Sequence, residues 1–272
     1  MKNEDYFDLA LSSLKTIKGN FRLYIPDLLF YLVTTLLSFL FLHVNGLTSI
    51  FSGEITIFKE QIKTIVSSSP SFIKLILSLS FSLFFSLVFG LGTTTLKFTM
   101  IKNILKKKKL TFFETYLNSH HYLLRTFLLK LCFSLLYLVP AFLLLGTGLL
   151  SRPFLGINAF FTLLLFFMFE FLFLFSYALA FLDDLKNPFN IIKKSVYYCL
   201  ENKIHTLITG IFVLFFSALF TLFFTVLPLL LSKLGIFAKL SILTLVFLIL
   251  KTIIELTVNL WSSLFIFKNY KH

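Results

Sequence analysis

Six long apolar runs constrain this sequence more than any other feature. They cover residues 23–44, 72–97, 126–149, 156–182, 204–230 and 240–267. A helix that crosses the hydrocarbon core of a bilayer needs about 20 mainly apolar residues, and each run is long enough. The chain is 58% hydrophobic, against about 45–50% in soluble domains. The sequence therefore predicts an all-α, polytopic membrane protein, a bundle of six transmembrane helices.

The basic residues favour one set of loops. With Lys74 and Lys97, which lie near the ends of the second run, counted in the adjoining loops, 17 of the 25 lysines and arginines lie in the two terminal segments and in the second and fourth loops. Six lie in the other three loops, and two lie further within the runs. Because lysine and arginine accumulate on the cytoplasmic side, we expect a multi-pass protein of the cell membrane with both termini in the cytoplasm. Residues 1–22 lack the pattern of a cleavable signal peptide, so we expect the first span to act as the signal.

Each span that leads outward follows a segment that is apolar on one helical face. The three segments, 7–19, 111–124 and 188–201, are too polar to cross a membrane and predict amphipathic helices at the cytoplasmic interface. Thr111 and Glu114 have capping-box spacing, and Asn187 before Pro188 is a favourable helix start.

The three segments also share sequence positions. Aligned on their leading phenylalanines, they match at Phe7, Phe113 and Phe189 and at Ser13, Ser119 and Ser195, while Asn20 corresponds to Asn202. We therefore interpret residues 1–272 as a single membrane domain built from three helix-plus-hairpin units, 1–97, 98–182 and 183–272. The first unit carries an outer insertion at 45–71, where an amphipathic helix is expected.

Four consecutive lysines, Lys106, Lys107, Lys108 and Lys109, directly follow the second span. One hypothesis is a contact with anionic lipid headgroups or with an acidic membrane protein partner, because a base near a charged leaflet contributes about 1 kcal/mol. The alternative is a topology signal alone. A nucleic-acid partner is not expected, since the net charge of +13 is spread over juxtamembrane positions without a recognition module.

Charged residues also interrupt two spans. Lys251 and Glu255 straddle the midpoint of the last run, Asn259 continues the same helical face, and Glu170 lies midway along the fourth run. Charges at this depth turn away from lipid, so these residues predict an inward polar cluster. The cluster is either structural or part of a solute path. By contrast, Asp183 and Asp184 are interpreted as a turn that pairs with Lys186 or another juxtamembrane base.

Catalytic and metal-binding motifs are not found in the sequence. It has no H-E-x-x-H, no G-x-S-x-G, no phosphate-cradling loop and no clustered cysteine or histidine. Cys132 and Cys199 predict neither a disulfide nor a metal site. We therefore expect no enzyme activity, no metal and no cofactor.

One stretch resembles a known pattern. Residues 177–212, "YALAFLDDLKNPFNIIKKSVYYCLENKIHTLITGIF", combine a span that ends in acids with a proline-led amphipathic helix and a further span. This order resembles uncharacterised prokaryotic six-span membrane protein families that are similar to the membrane domain of some glycerophosphodiester phosphodiesterases. The opening "LALSSLKTIKGNFRLYIPDLL" is similar to the start of the same families. In the fused phosphodiesterases the catalytic residues lie in a separate soluble domain, so the resemblance implies no catalytic residue here.

These observations favour a noncatalytic membrane module that binds lipid, a partner protein or a small solute. The alternative is a transporter or permease subunit that uses the mid-membrane polar cluster.

The predicted topology is tested with single cysteines. In a background with Cys132→Ser and Cys199→Ser, the variants Ser52→Cys, Lys107→Cys and Asn190→Cys should react with a membrane-impermeant maleimide added outside only at position 52. Labelling at position 107 from the outer face of intact cells would contradict the orientation.

Overall fold

The computed structural model describes residues 6–49, 55–108, 111–150, 155–233 and 241–271, and these ranges are all-α. The helices are α1 (Tyr6–Lys18), α2 (Ile25–Val44), α3 (Ile55–Ser67), α4 (Ser69–Leu105), α5 (Phe112–Leu150), α6 (Leu155–Leu172), α7 (Ser176–Leu182), α8 (Pro188–Glu201), α9 (Lys203–Lys233) and α10 (Ser241–Lys271), with a 3₁₀ turn at Phe21–Tyr24.

Six helical segments of the described chain are long and apolar enough to cross a membrane. They are Phe21–Val44, Ser69–Leu105, Phe112–Phe142, Gly156–Leu182, Lys203–Phe224 and Val246–Tyr270. The expectation of six membrane helices is thus confirmed. Helix α3 occupies part of the 45–71 insertion, while residues 50–54 lie outside the described ranges.

The chain divides into two compact units. Unit 2 is Ile25–Lys97, with α2, α3 and most of α4. In it Lys97 Nζ lies 3.0 Å from Asp27 Oδ1, and both side chains are largely buried. Asp27 stands in the first turn of α2, where a carboxylate also opposes the helix dipole favourably. The pair joins the start of α2 to the end of the α4 portion of this unit.

Unit 1 comprises Met1–Tyr24 and Phe98–His272. Its buried side chains collect at the end of the unit that carries α1, α7 and α8. Phe98 is central there, with its ring centroid 4.8 Å from that of Tyr177, 5.5 Å from that of Phe181 and 5.3 Å from that of Phe267. This aromatic core joins α4, α7 and α10.

Helix α1 packs against α10. The indole nitrogen of Trp261 donates to the Ala10 carbonyl at 3.1 Å, and Lys268 Nζ donates to the hydroxyl of Thr16 at 3.0 Å. At the other end of α1, the Tyr6 hydroxyl bonds His205, whose second ring nitrogen lies 3.2 Å from the carbonyl oxygen of Asn269. Helix α1 is therefore tied to α10 directly through Trp261 and Lys268, and indirectly through His205.

The three aligned segments have one burial pattern. The leading phenylalanines are all exposed, and the position two residues later and the serine six residues later are all buried. The buried sets are Leu9, Thr115 and Ile191, and Ser13, Ser119 and Ser195. Each segment thus turns the same positions toward the protein.

The second segment differs in one respect, because it is not a separate helix. Residues 112–124 are the first turns of α5, which continues to Leu150. In the first and third segments Asn20 and Asn202 fold their side-chain amides onto the carbonyls of Thr16 and Tyr198, at 2.8 and 3.1 Å, next to the helix end. Thr126 stands at the corresponding position of α5 and does not end it.

Both sequence-predicted helix starts are present. At the head of α5 the Thr111 amide donates to Glu114 Oε2 at 2.7 Å, and the Glu114 amide donates to Thr111 Oγ1 at 3.2 Å. This is the reciprocal capping box. At the head of α8 the Phe189 amide donates to Asn187 Oδ1 at 2.9 Å, and Pro188 occupies the first helical position.

The packing of α9 on α6 generates a testable prediction. A Cβ added at Gly210 would overlap the ring of Phe171, whereas one added at Gly92 meets nothing within 4 Å. Gly210→Ala should therefore lower the free energy of unfolding by ~1–3 kcal/mol through overpacking. Gly92→Ala is the matched control and should be neutral or stabilising by ~0.5–1 kcal/mol. Thermal unfolding in one detergent measures both, and a Gly210→Ala protein as stable as the control would contradict this packing.

Candidate functional site

A cleft of ≈ 700 Å³ opens in unit 1 between the end of α4, the first half of α5 and the turn between α7 and α8. We call it the basic cleft. Its lining includes the cationic side chains of Lys102, Lys108, Arg125 and Lys186 and the single carboxylate of Asp184. Four bases against one acid leave an excess of three positive charges. Such an excess favours an anionic ligand.

The buried face of α5 positions the arginine. Thr115, Ser119, Tyr122 and Arg125 are buried and follow one another at intervals of four, three and three residues. That spacing places them on one side of a helix. On α4, Lys102 is buried three residues after Thr99 in the same way. Two helices therefore bring one cation each to the floor of the cleft.

Asp184 holds these two cations. Its Oδ1 accepts a hydrogen bond from Arg125 Nη1 at 3.1 Å, and its Oδ2 lies 3.8 Å from Lys102 Nζ. Arg125 also donates to the carbonyl oxygen of Ala180 at 2.6 Å. The side chains of Lys102 and Arg125 are 10% and 8% exposed, whereas that of Asp184 is 59% exposed. The carboxylate thus stands between two buried cations and the solvent.

The turn that carries Asp184 has an unusual backbone. Asp184 has φ +59°, in the left-handed region, which aspartate tolerates better than most residues. Partial burial alone would raise the pKa of Asp184. Asp184 also accepts hydrogen bonds from Arg125 and Tyr122 and lies beside the charges of Lys102 and Arg125. These interactions outweigh the effect of burial and hold the pKa of Asp184 below its usual value.

An aromatic ring completes the floor. Lys102 Nζ lies 4.6 Å from the ring centroid of Tyr122 and also donates to its hydroxyl, and the guanidinium carbon of Arg125 lies 4.7 Å from the same centroid. Phe181 stacks on the ring at 4.8 Å. Cations over aromatic faces are stabilised electrostatically. The two cations are therefore held by the ring of Tyr122 as well as by Asp184.

The rim of the cleft is more open. Lys108 and Lys186 are exposed, as are Asn118 and His121 on the outer face of α5. Ammonium groups can approach an oxyanion from several directions, while the floor supplies the fixed guanidinium of Arg125. Leu124 and Leu128 line the side of the cleft that continues along α5, and Leu124 is 68% exposed. Basic groups and an apolar flank thus lie side by side.

The four lysines after the second span do not form one patch. Lys106 donates to the carbonyl oxygen of Leu182 at 3.0 Å, Lys107 has φ +54°, and Lys108 lines the basic cleft. The left-handed turn at Lys107 separates its neighbours, which point to different elements. Lys109 lies outside the described residues.

The predicted mid-membrane cluster is distributed differently. Lys251 Nζ lies 3.7 Å from Glu255 Oε1, as the spacing of four residues implies, and Asn259 is exposed one turn further along α10. Glu170 instead lies beside Tyr137, whose hydroxyl is 3.5 Å from Glu170 Oε1. Among the described residues no hydrogen bond or ion pair joins Glu170 to Lys251. Glu170 lines a cavity of ≈ 40 Å³ beside α9.

Sequence reasoning identified Asp183 and Asp184 only as a turn with a basic partner. The partners of Asp184 are Arg125 and Lys102. Its neighbour Asp183 accepts a hydrogen bond from the Tyr270 hydroxyl at 2.6 Å. The sequence signal that could have indicated the buried site on α5 is a row of residues spaced three or four apart: Thr115, Ser119, Tyr122 and Arg125.

Comparison with known proteins adds no assignment, because the chain matches no protein-family model, no curated protein and no solved structure. The resemblance to the six-span families therefore stays a prediction. No group of three potential metal ligands occurs within the described ranges.

The Asp184 contacts generate a stability prediction. Asp184→Asn leaves two buried cations without their carboxylate and should lower the free energy of unfolding at pH 7 by ~1–2 kcal/mol. This is the contribution of a hydrogen bond to a charged group, reduced because Asp184 is partly exposed to solvent. Because the folded state lowers the pKa of Asp184, the carboxylate's contribution to stability is fully present above the ordinary aspartate pKa of about 3.9. It is lost as the pH falls from that value through the lower pKa of the folded state. The gap between wild type and variant should thus close as the pH falls through that range.

Thermal unfolding in detergent from pH 7 to pH 3 measures this gap. Asp183→Asn is the control, since Asp183 bonds a neutral tyrosine hydroxyl and not the buried cations. It should cost less than Asp184→Asn at pH 7. A gap for Asp184→Asn that is constant with pH would contradict the role given to the carboxylate.

Proposed function

We propose that this protein is a noncatalytic module of the cell membrane that binds the phosphate of an anionic phospholipid headgroup in the basic cleft. The observation that carries the proposal is the pair of buried, pre-positioned cations, Lys102 and Arg125, which share one partly exposed carboxylate beneath two exposed rim lysines.

The charge distribution supports an anion. Asp184 neutralises only one of the two floor cations, and Lys108 and Lys186 add two more positive charges at the rim. Arginine and lysine together are the usual donors to phosphate oxygens, with arginine binding two oxygens at once. The ligand oxygens would bind Lys102 and Arg125 beside Asp184, which neutralises these two cations only in part.

The position of the cleft supports a lipid over a soluble phosphate. The basic end of unit 1 is cytoplasmic under the predicted topology, where anionic lipids give the leaflet a negative surface potential. Leu124 and Leu128 lead from the cleft along α5 toward its apolar span, so an acyl chain can follow the helix while its phosphate stays among the bases. A soluble anion would gain nothing from this flank.

The transporter alternative depends on a polar path through the membrane. Glu170 and Lys251 have different partners, and the cavity beside Glu170 is smaller than the basic cleft by more than tenfold, at ≈ 40 against ≈ 700 Å³. No specific observation among the described residues favours transport over lipid binding.

Lipid binding is tested by substitution of the rim. Lys108→Gln with Lys186→Gln should weaken binding of dioctanoyl phosphatidylglycerol roughly thirtyfold, at ~1 kcal/mol for each base. The matched control, Lys193→Gln with Lys194→Gln, removes two exposed bases of α8 that do not line the cleft and should change binding little. Affinity is measured from the ligand-dependent rise of the thermal midpoint.

Three results would overturn the proposal. The first is an equal loss in the control pair, which would indicate diffuse surface charge. The second is equal stabilisation by dioctanoyl phosphatidylcholine, which carries no net charge. The third is equal stabilisation by glycerol phosphate at the same concentration, which would indicate a soluble anion site.

A further inference from the structure

One face of α10 carries polar side chains within the membrane-spanning part of the helix. Between residues 251 and 263, Thr257 falls on the opposite side of the helix, and six polar positions fall within a sector of about 120° with Leu248 near its centre. They are Lys251, Thr252, Glu255, Asn259, Ser262 and Ser263. We call this face the polar stripe.

The depth of the stripe in the membrane is counted from the part of α10 that contacts α1. Helix α1 contacts α10 at Trp261 and Lys268. Counted from Phe265, midway between these contacts, Glu255 lies ~15 Å and Lys251 ~21 Å further along the helix. The hydrocarbon core is about 30 Å thick. With α1 at the interface, both charges lie within it, near its middle.

The charged part of the stripe is not covered by the other helices of unit 1. The side chains of Lys251 and Glu255 are 38% and 52% exposed, and Asn259 is also exposed. The faces of α10 that pack against protein carry other residues, such as Leu256, Leu260 and Trp261. An ion pair and an amide that face hydrocarbon are strongly unfavourable, so this face requires a polar partner.

The intrahelical ion pair does not satisfy the two charges. The 3.7 Å between Lys251 Nζ and Glu255 Oε1 is longer than a hydrogen bond. Lysine has three N–H donors, and an ionised glutamate accepts at two oxygens. Both groups therefore retain bonding capacity toward a neighbouring helix.

We propose that the polar stripe packs against the polar stripe of a second copy of this chain, so that each Lys251 pairs with the partner's Glu255. Two copies in one membrane have the same orientation, and a two-fold axis along the membrane normal places their stripes face to face at one depth. The stripe supplies both a base and an acid, one turn apart. The ~6 Å rise between them is within the reach of a lysine side chain.

The remaining residues suit such a contact. Thr252 and Ser263 are small, and small polar residues allow transmembrane helices to approach closely and bond across the interface. The hydroxyl of Ser262, at the edge of the stripe, is buried within the chain itself. Asn259 adds an amide that can pair with its own symmetry mate. A helix face that served only as a lipid contact would carry large apolar residues here.

Cross-linking tests the proposed face with the charges left intact. In a background with Cys132→Ser and Cys199→Ser, Leu248→Cys lies in the stripe and Leu250→Cys lies about 200° around the helix. The two leucines are 53% and 50% exposed, so the pair is matched. Oxidation of protein reconstituted at low density in vesicles should give several times more disulfide-linked dimer for Leu248→Cys than for Leu250→Cys.

Charge reversal tests the proposed ion pairs. Lys251→Glu gives a stripe with two acids and Glu255→Lys a stripe with two bases, so each should lose dimer when the reversal is added to Leu248→Cys. Co-expression of the two reversed chains with different tags should restore a mixed dimer, because each acid then faces a base. The double change Lys251→Met with Glu255→Gln removes both charges and should not show this selectivity.

Equal cross-linking at positions 248 and 250 would overturn the proposal, as would a Leu248→Cys protein that stays monomeric in vesicles. Cross-linking at 248 that is unaffected by both reversals would reject the assignment of the ion pairs.

Discussion

The structure depends on one constraint, that a charge next to hydrocarbon must find a partner or reach water. Unit 2 meets it with the Lys97–Asp27 pair, where both side chains are largely buried. Unit 1 meets it with Asp184, which serves Arg125 and Lys102 together. Lys268 donates hydrogen bonds to the hydroxyls of Ser12 and Thr16 on α1. Each solution fixes one helix against another element of its unit.

This constraint explains where unit 1 is packed. Between helices in lipid the hydrophobic effect gives little drive, because the lipid tails are as apolar as leucine. Close packing therefore concentrates where polar and aromatic groups provide specific contacts, at the end of the unit that holds α1, α7 and α8. There Phe98 contacts rings of two other helices, and Trp261 bonds the backbone of α1. Further along the spans, large side chains such as Leu219 and Phe223 remain exposed.

The sequence predicted those features that depend on local rules. The six apolar runs gave the six membrane helices, since length and hydropathy are properties of the run alone. The capping box at Thr111 and the cap at Asn187 depend on residues within one turn of each other, and both are present. The burial of Ser13, Ser119 and Ser195 follows from the 3.6-residue period of the amphipathic segments.

The direction in which a spanning helix faces is not a local property. In a soluble helix the apolar face turns inward, but in lipid both directions are apolar, so periodicity does not say which face meets protein. For this reason Glu170 was expected near Lys251, yet it lies beside Tyr137. The basic cleft was not predicted for the same reason. In the sequence Arg125 and Lys102 look like ordinary juxtamembrane bases, and only the packing of α4 beside α5 brings them together.

The basic cleft arises where the second of the three aligned segments differs from the other two. Counted from the leading phenylalanines, the positions that correspond to Arg125 are Gly19 and Glu201, next to the ends of α1 and α8. In those segments an asparagine follows and bonds back to the preceding turn. In α5 the helix continues, so Arg125 lies on a continuous buried face one turn beyond Tyr122. The side chain of Arg125 is thereby held where it shares Asp184 with Lys102.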